Sequence, residues 1–256
     1  MNQLSKATRL LLAATGTILA FSSFAPATVL AVASKTAESS PFCTNLPATV
    51  TKVNTGISET IAKHTAAESK RDQTMAADRA KWDTDIAANR AKWDTNRQTN
   101  FTKLQAKATT DAEKTAVKTY ETSMLAAVAT VRSANDGARK TYRSGVDAAI
   151  AAHRSEVDTQ IATFKAAVAS SVSTAQASCA TNAGNGPAIR QAFQASMKTA
   201  RTTFQDARKG DSKIADQVKA LEATRKSTIA ANEVTFKTAT AAARATLKSA
   251  FGGKGV

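Results

Sequence analysis

Few side chains in this sequence of 256 residues are of a kind, and at a spacing, that could do chemistry. Cys43 and Cys179 are its two cysteines. An even number in an oxidising compartment points to a disulfide between them. The two histidines, His64 and His153, have no Cys, Asp or Glu at metal-ligand spacing that would form a site. No Ser/His/Asp or Cys/His arrangement appears, and no cofactor, metal or small-molecule substrate is implied. Gly252-Gly253-Lys254-Gly255 shares letters with a phosphate loop, but it lacks the preceding strand and following helix that such a loop needs. Asn100-Phe101-Thr102 is a formal glycosylation tripeptide, and nothing else supports it.

Charge offers a second chemistry, the capture of anions. The formal net charge is +15, and it is unevenly spread. From Pro187 to Val256 there are 13 Lys/Arg against 5 Asp/Glu, whereas 111–182 carry 8 against 7. Arg208, Lys209, Lys213, Lys219, Arg225 and Lys226 form the densest basic stretch and are the candidate polyanion-binding residues. The competing reading is a solvated face that keeps a thin bundle in solution.

The elements that must carry these residues are helices. Tyr120, Val131, Tyr142, His153 and Phe164 recur every eleven positions. Val146, Val157, Val168 and Cys179 form a second such series, and Ile150, Ile161 and Val172 a third. Eleven residues in three turns is about 3.67 per turn, so the series merge into one stripe along a long helix. An upstream repeat, RAKWDT at 79–84 and 90–95, has the same period. It sets Trp82 and Trp93 on one face as expected seam-filling residues. It also spaces Arg79–Asp83 and Arg90–Asp94 as i,i+4 pairs.

The phase of the apolar face breaks between Trp93 and Val117. Thr110-Asp111-Ala112-Glu113 in that interval fits a helix-starting capping box. A turn near 107–111 follows, and it would bring Cys43 and Cys179 to the same level. Asn135-Asp136-Gly137 is a stronger breaker by composition, yet Val131 and Tyr142 stay in phase across it. We read Gly137 as lying inside the helix at a cost of about 1 kcal/mol. Residues 34–47, with two prolines and no period, read as a linker. A helical hairpin over 48–182 follows, then a break at Asn182–Pro187, a third basic helix over 187–251 and a loose tail over 252–256. Lys209-Gly210-Asp211-Ser212 is a candidate hinge.

The expected fold is all-α: a long antiparallel helical hairpin plus a third long helix, as an elongated three-helix bundle or coiled coil. About one position in seven after residue 33 is Leu, Ile, Val or Phe, so alanine must supply a thin seam instead of a thick core. Residues 1–33 have the tripartite pattern of a signal peptide. Lys6 and Arg9 come first, then the uncharged apolar stretch Leu10–Ala25, then Ala31-Val32-Ala33 as the cleavage motif. This predicts an exported mature chain without an integral membrane segment. Function stays at the level of class. The sequence favours a non-enzymatic structural or interaction protein, a spacer, scaffold or adhesin working through a partner helix or self-association. The alternative is a module that binds a polyanion, whether a wall polymer, extracellular nucleic acid or an anionic lipid surface, through the basic C-terminal helix.

Overall fold

The computed structural model describes residues 40–210 and 214–252. The expected signal peptide over 1–33, the hinge residues 211–213 and most of the expected tail lie outside the described residues. The fold is an all-α helical bundle, with no strand among the described residues. Helix α1 spans Pro41–Lys107 and α2 spans Asp111–Thr181. A short 3-10 turn at Ala183–Asn185 leads into α3, Gly186–Lys209, and α4 spans Ile214–Ala250.

The chain falls into two compact units, and α1 and α2 contribute to both. The first unit holds Thr74–Ile150 and α4. The second holds the described residues up to Gln73 together with 151–210. No described helix is long and apolar enough to cross a membrane.

In the first unit α1 and α2 form an antiparallel hairpin through residues 108–110. Glu113 closes that turn. Its Oε2 accepts hydrogen bonds from the Thr109 and Thr110 backbone N–H groups at 2.8 and 2.9 Å. The Glu113 N–H donates in return to Thr110 Oγ1 at 3.2 Å. Donors that a helix start leaves unsatisfied are thereby paired. Those bonds, the Thr110 N–H first, hold the Glu113 carboxyl down at about 2. Around the turn, Ala108, Val117, Leu247 and Phe251 pack into one buried cluster, and Phe101, Met124 and Ala243 into the next. Asn135 and Gly137 lie within continuous α2. Asn135 is held there by α4, because Asn232 Nδ2 donates to its Oδ1 at 2.9 Å.

The second unit has the larger apolar core. Leu46 and Ile57 of α1, Phe164, Val168 and Ala175 of α2, and Ile189, Phe193, Met197 and Phe204 of α3 are buried together. Cys43 and Cys179 lie at disulfide distance in this unit, with Cα atoms 5.5 Å apart.

Two boundaries differ from the sequence expectation. The linker expected over 34–47 is helical from Pro41 onward. Proline suits the first turn of a helix, and Ser40 caps it, accepting from the Thr44 N–H at 3.1 Å through its carbonyl. Pro47 lies deeper and cannot bond the Cys43 carbonyl, a defect of roughly 3 kcal/mol in an isolated helix. Tertiary contacts outweigh it here. Leu46 is among the most buried side chains, and Phe42 packs on Phe193 with ring centres 6.1 Å apart. The third helix expected over 187–251 is two helices. α3 ends at Lys209, where the Gly210 N–H donates to Ala207 O at 3.1 Å.

Candidate functional site

The residues expected to form a basic face are shared between the two units. Arg208 and Lys209 end α3 in the second unit, whereas Lys219, Arg225 and Lys226 belong to α4 in the first. Lys213 lies outside the described residues. Lys209 pairs with Asp206 at 2.7 Å, and Lys226 with Glu222 at 2.8 Å. Arg208 is half-buried, and Lys219 is exposed. Arg225 departs most from the expectation, since it is only 5 % exposed and cannot contribute to an open basic face. It is drawn inward by two aromatic rings. Its guanidinium carbon stands 5.5 Å from the centre of Trp82 and 5.0 Å from that of Tyr142. An arginine can stack on such faces where a hydrated ammonium would resist burial.

Trp82 is the centre of the arrangement. Besides Arg225 of α4, it has Arg143 at 5.3 Å and Arg139 at 5.9 Å from its ring centre, both on α2. Three guanidinium groups from two helices thus gather on one indole of a third. Trp93, one repeat further along α1, is 66 % exposed and does not fill the seam as expected. The arginines near it are drawn elsewhere: Arg97 and Arg132 both turn to Asp94.

The repeat makes a ladder instead of i,i+4 pairs. Arg79 donates to Asp147 and Arg90 to Asp136, each through both terminal nitrogens. Asp83 and Asp94 of α1 accept in the same two-pronged way from Arg143 and Arg132 of α2. The two residue numbers add to the same value in every rung. A step of eleven along α1 is therefore matched by a step of eleven back along α2. In the second unit Arg154 donates to Asp72 at 2.5 Å with that same offset. The expected Arg79–Asp83 and Arg90–Asp94 contacts lose because a forked guanidinium matches a carboxylate best across the seam. Such exposed pairs are worth about 0–1 kcal/mol each, so the ladder sets register more than stability. The recurrence of Asp72, Asp83 and Asp94 against Arg132, Arg143 and Arg154 was the sequence signal for it.

The charges respond accordingly. The two hydrogen bonds from Arg132, with help from Arg97, hold Asp94 down to about 2. Arg143 lowers Asp83 and is itself raised by it. Burial, then the charges of Arg90 and Arg143, pull Arg139 below the usual arginine value. Burial raises Tyr142, with the Glu222 carboxylate adding to it.

Beside Trp82 an open groove of about 390 Å³ is lined by Arg79, Arg139, Lys140 and Arg143 together with the ladder carboxylates. A smaller hydroxyl-lined hollow of about 160 Å³ lies in the second unit, between Ser171 and Thr174 of α2 and Ile189 and Ser196 of α3. Among the described residues no group of three His, Cys, Asp or Glu is placed to hold a metal ion. His64 faces Glu68 at 3.7 Å, and His153 is half-buried in α2. No family model, curated protein or solved structure matches the chain.

Proposed function

We propose that this chain is an exported, non-enzymatic helical protein that works as a structural or interaction element, a spacer, scaffold or adhesin. The observation that carries this reading is Trp93. In a sequence with two tryptophans, one is spent in the seam and the other is 66 % exposed on α1 of the same unit. Tryptophan is the residue most enriched among the anchors of protein interfaces. Leu125 of α2 and Val234 of α4, 52 % and 64 % exposed, add apolar surface to that unit. The helices are tied by polar rungs and by one cysteine pair, which suits a protein that holds a surface in place. The cysteine pair also supports an oxidising, extracytoplasmic location.

A photo-crosslinking residue at position 93, placed in the protein as its native cell makes it, tests the reading. We expect one discrete partner band, lost when the probe is moved to exposed Lys81. Equal labelling from both positions would refute an interaction role for this face. N-terminal sequencing of the secreted chain is expected to begin at Ser34, and a start at Met1 would remove the export claim.

The second reading is retention of an anionic polymer by α4, favoured by Lys219, Arg244 and Lys248, which are exposed and have no ion pair among the described residues. Retention that falls steeply with salt would support it.

A further inference from the structure

Arg225 is a buried charge held against two aromatic rings. Among the described residues no ion pair or hydrogen bond reaches it, and its Nε is enclosed without an acceptor. Two ring faces replace part of its hydration. They do not fully replace the water that burial removes. Its surroundings add to the imbalance. Arg143 is matched by Asp83, but Asp136 serves both Arg90 and Arg139. Glu222, the acid on α4 nearest Tyr142, is spent on Lys226. Arg79, Arg139, Lys140 and Arg143 line the groove with three carboxylates, Asp83, Asp136 and Asp147, a surplus of one positive charge, and Arg90 also draws on Asp136.

The excess has an opening to solvent. Arg139 and Arg143, which flank Trp82, also line the groove of about 390 Å³. Lys140 lies on that groove, exposed and without an ion pair among the described residues. Ser144, an exposed hydroxyl, lines it too. Forked and point-charge donors around an open hollow suit a tetrahedral oxyanion.

We propose that the groove beside Trp82 binds a phosphate group, held by Lys140 and Arg139, with Arg225 against the same indole supplying unbalanced positive charge. The phosphate comes either from a free anion or from a phosphate polymer. This goes beyond the structural role proposed above, since a bundle that only holds a surface needs no anion here.

The test uses the full chain with Trp93→Phe, so that Trp82 is the one indole reporting. Inorganic pyrophosphate and long-chain polyphosphate are each titrated at constant ionic strength set with chloride. We expect a saturable change in Trp82 emission. Lys140→Ala, which alters an exposed residue, should weaken binding about tenfold, as loss of one charge-assisted contact does. Arg225→Met should weaken it at least as much while circular dichroism stays helical. Tighter binding of the polymer per phosphate identifies a polymer as the source, and equal binding identifies a free anion. A flat titration with both, a response that chloride alone reproduces, or wild-type affinity in Lys140→Ala overturns the proposal.

Discussion

Arg79 of α1 holds Asp147 of α2 with both terminal nitrogens, at 3.1 and 2.8 Å, and Arg90 repeats the contact with Asp136 eleven residues on. The ladder lets two alanine-rich helices with little apolar surface find one alignment, because a shift by one residue breaks every rung at once. Exchanging the ends tests this. Arg79→Asp alone sets two carboxylates against each other and should destabilise the protein by about 1 kcal/mol. Arg79→Asp with Asp147→Arg should regain most of that in a double-mutant cycle of chemical denaturation. Additive losses would show that the rung does not couple the helices.

The ladder also predicts an acid response. Asp94 is held at about 2 in the folded chain, below an ordinary aspartate near 3.9. A depressed carboxylate contributes stability that is complete above its unfolded value and is lost as pH falls through the folded one. Loss is therefore expected from about pH 4 down to about pH 2, the window that Glu113 shares. Asp94→Asn should lower Tm at neutral pH and flatten its fall between pH 4 and 2. An unchanged slope in a pH series of melting curves would show that the rung is idle in solution.

Two glycines of α2 should respond oppositely to alanine. At Gly137 a Cβ would meet nothing within 4 Å, so Gly137→Ala should gain about 0.5–1 kcal/mol from helix propensity. At Gly145 a Cβ would lie 2.6 Å from Leu221 Cδ2, so the same change must push a leucine of α4 aside. Gly145→Ala is expected to forfeit the gain and fall below wild type in Tm. Equal gains at both sites would mean that α4 does not pack closely there.

Reduction of the cysteine pair should be costly. The two cysteines are 136 residues apart in sequence. Closing a loop of that size is worth about 4–5 kcal/mol in the chain-entropy description. Cys43→Ser with Cys179→Ser should lower Tm strongly, with reductant giving the same shift in the unmodified protein. Peptide mapping that recovered two free thiols from protein purified without reductant would refute the bond.

The fold class was legible because periodicity reports on a helix face directly. Val146, Val157 and Val168 recur by eleven, and each is 2 % exposed. The Thr110-x-x-Glu113 box was legible because its chemistry is confined to four residues. What was hidden depends on partners distant in sequence. Pro41 and Pro47 look like linker residues until Phe193 and Cys179 arrive to hold the helix through them. Arg225 counts as surface charge until Trp82 and Tyr142 offer it two ring faces. Asp83 has an arginine four residues before it and another on the facing helix, and sequence spacing alone does not rank the two. The excess charge around Trp82 was invisible for the same reason, since its arginines come from α2 and α4.

With the bond between Cys43 and Cys179 formed, α1, the turn and most of α2 become one closed ring of chain. A protease that cuts this ring once, at the exposed turn residues Thr109–Thr110 for instance, separates nothing, because both halves stay joined through sulfur. A single cut beyond Cys179, at Gly210 for instance, leaves a basic fragment carrying α4 held by packing alone. Under attack by peptidases the two parts of this chain would thus have unequal lifetimes, and the hairpin would outlast the helix that covers it.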